Sequence, residues 1–305
     1  MSFSFEAKKE LCSCDSQSVS CSRAECYGFL LFAKVFSESK MVFSTENPYT
    51  ALRFSELISS SFQAITEKKA ALTGKKDQSR LFTLSIPLED DCRRIYSELG
   101  HSSRDINLRI NRANLEDEGA VAAFLRGAFL CCGSVSDPKK DYHLEFSVPY
   151  KNLCMDLCRL ISEVSPRSRE PRQLNRKGMF IAYIKDSEEI ADLLAFIGAP
   201  LASMELMQEK ILKSIRNSVN RKTNSEIANI NKTAKASAVQ IEAIEKIKRV
   251  RGLDSLPDDL KSIAQLRLEN PEHSLRDLGE LLSPSISRSG ANHRMKRILE
   301  IAEEI

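Results

Sequence analysis

The chain has 305 residues, 42% of them apolar and 29% charged, enough for ordinary cores in two or three domains of about 100 to 200 residues each and too apolar for a disordered chain. The opening segment MSFSFEAKKE lacks the basic stretch and the apolar run of about 7 to 15 residues that make a secretory signal. No stretch reaches the roughly 18 to 20 apolar residues of a membrane span, so a cytoplasmic protein with no membrane partner is expected. The net charge of +3 does not by itself mark a nucleic-acid binder.

Nine cysteines are an odd number and do not form a complete disulfide framework. Cys12, Cys14, Cys21 and Cys26 lie close together in sequence, but with no nearby His and no repeated C-x2-C pair they read as structural thiols rather than zinc ligands.

In chain order, the first strong signal is an apolar helix at 24–33 (AECYGFLLFA), followed by a strand at 41–44 (MVFS) and a helix carrying Leu52, Leu57, Ile58 and Ser59. A strand at 80–86 and a helix at 87–99 complete a unit. About one hundred residues later the order repeats. An apolar helix at 120–132 (AVAAFLRGAFLCC) precedes a strand at 142–148 and a helix with Leu153, Leu157, Leu160, Ile161 and Ser162. A strand at 179–184 and a helix at 187–197 follow. Each half reads as helices on one face of a small antiparallel sheet. The opening helices, apolar on nearly all sides, must be buried, and their single glycines, Gly28 and Gly127, are expected where the two helices pack backbone to backbone.

This pair of helices resembles the two LAGLIDADG motifs of single-chain homing endonucleases. The resemblance implies two saddle-shaped α+β halves with the helices between them, and a carboxylate at the end of each motif to hold the metals of DNA cleavage. Aligned on the glycines, those positions are Ala33 and Cys132; the nearest acids, Glu38 and Asp137, lie five residues further on in expected loops. A scaffold without catalytic residues, metal or cofactor is expected.

Beyond the repeat, eleven Lys and Arg stand against five Asp and Glu between Glu209 and Asp254, the footprint of phosphate contacts or, alternatively, of a solvated linker. Within it, 215–240 has no strong apolar stripe and reads as an exposed helix or hinge; Arg221, Lys222 and Lys232 are its candidate DNA contacts. A helix at 258–269 leads to Ser274-Leu275-Arg276-Asp277, a capping signature, and to a helix through Leu282 that Ser283-Pro284-Ser285 breaks. A second helix starts after Ser287, with Ala291, Met295, Ile298 and Ala302 on its inner side. Its other side carries Ser289, His293, Lys296 and Arg297, with Asn292 and Arg294 flanking and Arg288 in the first turn, side chains suited to base edges and phosphates. An ordinary helical hairpin with a solvated basic face is the alternative.

The degenerate motif pair, the connector with Asn220, Arg221, Asn224, Ala228, Asn229, Lys232 and Gln240, and the terminal SLRDLGELLSPSISRSGANHRMKRI segment together resemble the WhiA family of bacterial regulators. The expected organisation is α+β followed by all-α: LAGLIDADG-like halves at 1–100 and 101–208, a basic helical connector at 209–255 and a helix-turn-helix domain at 256–305. The resemblance implies promoter binding through a terminal domain similar to sigma-factor region 4. It also implies roles in transcription, cell division and chromosome segregation, a nucleoid-associated location, and double-stranded DNA and a protein co-regulator as partners. A scaffold for a division or transcription partner, with DNA binding secondary, is the rival reading.

Overall fold

The computed structural model describes residues 2–15, 18–73, 79–105, 107–167 and 169–305, which form two compact units, Met1–Lys213 and Ser214–Ile305. In the first unit, α1 (Phe3–Cys12) precedes two copies of one arrangement. The first copy is α2 (Val19–Leu31), β1 (Val35–Phe36), β2 (Met41–Thr45), α3 (Pro48–Phe62), β3 (Glu67–Thr73), β4 (Ser79–Ser85) and α4 (Glu89–Glu98). The second is α5 (Ala120–Cys132), β5 (Gly133–Val135), β6 (Leu144–Val148), α6 (Lys151–Val164), β7 (Arg172–Arg176), β8 (Met179–Ile184) and α7 (Ser187–Ile197). The two sheets, ordered β1-β2-β4-β3 and β5-β6-β8-β7, are antiparallel throughout, which is the duplicated α+β architecture expected from the repeat.

Local chemistry sets the boundaries. Asn47 accepts the Tyr49 and Thr50 N–H groups ahead of Pro48, and Asp186 accepts those of Glu188 and Glu189, so α3 and α7 begin on side-chain caps. Gly198, at φ 104°, ends α7 in a left-handed conformation that a side chain strains to adopt. Helix α5 and strand β8 coincide with expectation, whereas the strand expected from Tyr142 begins at Leu144. Helix α1 and strands β1, β3, β5 and β7 were not foreseen. The described side chains of β3 and all of β7 are exposed, so these edge strands carry no apolar alternation to read.

The centre of the unit is the contact of α2 with α5. A Cβ on Gly28 would lie 2.2 Å from the Phe124 carbonyl oxygen, and one on Gly127 would lie 2.0 Å from that of Glu25, so the two backbones meet at the two glycines. Phe29 packs edge-on against Phe43 of β2, and Phe129 against Phe146 of β6, which ties each helix to its own sheet. The expectation that these helices are apolar nearly all round needs correcting at two positions. Glu25 is fully buried and Arg126 is 8% exposed. They pair at 3.0 Å, while Arg53 of α3 grips the same carboxylate from the other side at 2.9 Å. Buried charges survive only when paired in this way.

The expected exposed helix or hinge at 215–240 is the interior of a single long helix, α8 (Pro200–Val250), whose residues from Ser214 onward belong to the second unit. Residues 214–232 are exposed on every side of the helix. Further along, Ile244 and Ile247 enter a core completed by α9 (Asp258–Glu269), α10 (Leu275–Leu281) and α11 (Arg288–Glu303). Leu260, Ile263, Ala264 and Leu282 meet Ala291, Met295, Ile298 and Ala302 in that core, which is the inner face anticipated for α11.

Candidate nucleic-acid interface

Three contacts fix how α11 is presented. Ser274 and Asp277 form a reciprocal capping box: the Asp277 N–H donates to Ser274 Oγ at 3.3 Å and the Ser274 N–H to Asp277 Oδ2 at 3.0 Å. Hydrogen bonding from the Ser274 side chain and from its backbone N–H holds the Asp277 carboxyl below the usual carboxylate range. Upstream, the buried Arg267 side chain donates to the His273 carbonyl at 2.6 Å and to the Asn270 carbonyl at 3.4 Å, shaping the loop into α10. Downstream, the Ile286 N–H donates to the Gly279 carbonyl at 2.9 Å, and a Cβ on Gly279 would lie 2.5 Å from the Ile286 oxygen. The turn therefore folds directly onto α10, and Ser287 starts the next helix by accepting the Gly290 N–H at 3.2 Å.

The resulting α11 has two sides. Ala291, Met295, Ile298 and Ala302 face the core, whereas Arg288, Ser289, Asn292, His293, Lys296 and Arg297 are exposed. At about 100° per residue, those six positions share one half of the helix circumference. Arg294 stands apart: it is half-buried at the edge of α11, its guanidinium 3.7 Å from the Asp259 carboxylate of α9. It braces the two helices, with less of its charge free for a ligand. On α8, Arg221, Lys222 and Lys232 are exposed. Arg221 and Lys232, about three turns apart, fall on one side of the helix, and Lys222 points roughly 100° away.

The signals for Arg267 and Gly279 were present in the sequence, an arginine amid an apolar helical stripe and a glycine before an expected turn, but neither names its partner.

The ends of α2 and α5 offer no comparable site. Ala33 is 5% exposed and carries no ligand atom, and burial pushes the half-buried Cys132 thiol well above its ordinary value. The Lys8 amine donates to the Leu130 carbonyl at 3.1 Å at the C-terminal end of α5, and burial lowers its pKa. Glu38 accepts the Ser103 N–H, 65 positions away, and Asp137 the Lys139 N–H within its own loop, both at 2.9 Å. A thiol, a methyl group and a lysine that donates to a carbonyl do not fit a divalent cation that prefers carboxylate and water. The four N-terminal thiols reach separate partners: Cys12 the Thr50 hydroxyl, Cys14 the Gly198 carbonyl and Cys21 the Glu118 carbonyl, while Cys26 is buried within α2.

Residues 121–216 match the WhiA LAGLIDADG-like domain, and residues 219–302 match the WhiA C-terminal HTH domain. The probable cell division protein WhiA of Clostridium beijerinckii is 36% identical, covering 100% of this chain and 99% of the relative. The protein of that name from Clostridium botulinum is 34% identical over the same shares. The crystal structure of full-length DUF199/WhiA from Thermatoga maritima superposes with a TM-score of 0.58 at 26% identity, covering 100% of this chain and 99% of that one. With full-length relatives above 30% identity and matches to both domains, the chain belongs to the WhiA family.

Proposed function

We propose that this chain is a regulator that binds double-stranded DNA without cutting it, with α11 as the recognition helix. The observation that carries this reading is the exposed arc of Arg288, Ser289, Asn292, His293, Lys296 and Arg297, held by a capped helix and a glycine-tight turn. Arginine and lysine pair with guanine edges or phosphates and asparagine with adenine, so the arc contains both positioning and reading groups. Arg221, Lys222 and Lys232 on α8 add phosphate contacts, and Arg294 serves as a brace. The chemistry at the ends of α2 and α5 supports binding without hydrolysis. The relatives' name, probable cell division protein, supports a role in division; action on transcription or chromosome segregation, in the cytoplasm at the nucleoid, is part of the same proposal.

The test is a salt series of duplex DNA affinity for the full chain and for Lys296→Ala with Arg297→Ala. Each lost phosphate contact should flatten the log–log salt slope by about 0.9. If both affinity and slope are unchanged, α11 is not the reader.

A protein partner for the first unit is the second reading, favoured by one sheet. Among the described residues, the register places Val35, Val42, Ser44, Ala71, Leu81, Thr83 and Ser85 on one face of the first sheet, with Glu67 and Lys69 offsetting each other. A surface this poor in cations suits a co-regulator better than a phosphate backbone.

A further inference from the structure

We infer that the first unit carries a binding site for a nucleoside 5′-phosphate, separate from α11, in a cleft of about 290 Å³ between its two halves. Three aromatic rings line it: Phe36 of the first sheet, Tyr96 of α4 and Tyr150 at the start of α6. Phe36 and Tyr96 are in contact, with centroids 4.9 Å apart, and His101 backs both at 5.4 and 5.3 Å.

That wall is anchored in the core. The Asn111 N–H donates to the Tyr27 hydroxyl at 2.8 Å, and the hydroxyl in turn lies 3.0 Å from His101 Nε2. With Asn111 donating to its oxygen, the Tyr27 O–H can donate to His101 Nε2, an acceptor only in neutral imidazole, in keeping with the fall in the His101 pKa caused by burial. Opposite this fixed wall, Tyr150 is 55% exposed and lines the cleft, leaving aromatic surface open to a ligand.

The polar groups complete the chemistry. The Asp105 carboxylate and the Asn107 and Asn152 amides also line the cleft, offering the mixed donors and acceptors that a base edge needs. Helix α6 starts at the same place with no side-chain cap on its N–H groups, and Lys151 stands in its first turn. An uncapped helix start beside an ammonium favours a phosphate. A small organic cation would use the rings and Asp105 but be opposed by Lys151 and the helix end. Inorganic phosphate would leave the three rings without a role. A nucleotide uses every group, whether it comes as a free mononucleotide or as part of a single strand, because aromatic stacking accepts any base.

The experiment is calorimetric titration of the full chain with AMP, GMP, CMP and UMP, with a single-stranded DNA 10-mer, and with tetramethylammonium chloride and inorganic phosphate. The chain variants are Tyr150→Ala, Tyr150→Phe, Lys151→Ala and the double change Lys296→Ala, Arg297→Ala. Tyr150 and Lys151 are exposed, so melting curves should be unchanged. We expect at least one mononucleotide, or the 10-mer, to bind with a loss of about tenfold or more in Tyr150→Ala. Binding should be retained in Tyr150→Phe, weakened in Lys151→Ala and unaffected by the α11 changes. Dependence on Tyr150 for the 10-mer alone identifies the strand as the source; dependence for a mononucleotide identifies the free ligand. The inference is overturned if no nucleotide or strand shows Tyr150-dependent binding at millimolar concentration, or if tetramethylammonium or phosphate alone does. Because the α11 variant reports on duplex binding independently, failure here leaves the recognition-helix reading standing.

Discussion

Replacing Gly279 with alanine tests whether the turn before α11 is as tight as its geometry says. The added Cβ would lie 2.5 Å from the Ile286 carbonyl oxygen, and contacts below 3.0 Å are not tolerated, so one backbone must withdraw by about 0.5 Å or more. The obstacle is main chain, tied to Gly279 itself by the 2.9 Å hydrogen bond, and cannot swing aside as a side-chain tip does. Overpacking of this kind costs about 1 to 3 kcal/mol, and the better helix propensity of alanine returns roughly 1 kcal/mol. The second unit should therefore lose up to about 2 kcal/mol. Gly290→Ala is the control in the same unit. Its Cβ would meet only the Ile286 side chain, at 3.5 Å, so its propensity gain of up to about 1 kcal/mol goes unopposed. Because multi-unit chains commonly depart from two-state melting, amide hydrogen exchange across α9, α10 and α11 in the full chain is the appropriate readout. Duplex affinity, measured by fluorescence anisotropy where the unit stays folded, should fall about fivefold or more for Gly279→Ala, equivalent to roughly 1 kcal/mol of misaimed contacts. If Gly279→Ala protects the amides as much as Gly290→Ala does, the tight turn is not a constraint and the argument fails.

Other outcomes follow from the same contacts. Glu25→Gln removes the anion shared by Arg53 and Arg126 in the interior; urea unfolding of the first unit should show a loss of about 3 to 5 kcal/mol. Ser274→Ala removes half of the capping box and should cost the second unit about 1 kcal/mol in amide protection. Burial holds the His101 pKa below its usual 6.5, with the Asp105 carboxylate, 3.9 Å away, opposing the shift. The unfolded chain therefore binds the proton more readily than the folded one, and stability contributed by His101 should be full above pH 6.5 and decline as pH falls below it. His101→Gln should flatten that part of the stability profile, and an unchanged slope between pH 7 and 5 would show that His101 is not its source.

Most of what the sequence made legible belongs to elements with a buried face. The run AVAAFLRGAFLCC announces α5 because a helix this apolar has only one place to be, and the Ser274 capping signature announces α10 because its partner lies three residues away. Strand β7, reading RQLNR, could not be seen in advance: its existence depends on hydrogen bonds to β8, from Arg172 opposite Tyr183 to Arg176 opposite Met179. Nor could the fate of Arg126 be read locally. Its partner Glu25 lies 101 positions away on the other motif helix, and only the fold brings them together.

The candidate interface divides along the same line. Which side of α11 faces outward follows from Ala291, Met295, Ile298 and Ala302 at helical spacing, so the set of exposed side chains was accessible to arithmetic. What each basic group does was not. Arg294 and Arg297 are both arginines of one helix, three positions apart, yet Arg294 meets Asp259 across the α9 contact while Arg297 is exposed. Changing Arg294 to alanine should therefore act chiefly through the stability and placement of α11, whereas changing Arg297 should act on the salt slope. An exposed charge retains the counterion-release term that drives binding to a phosphate backbone, and a braced one has already committed part of its interaction to its own fold.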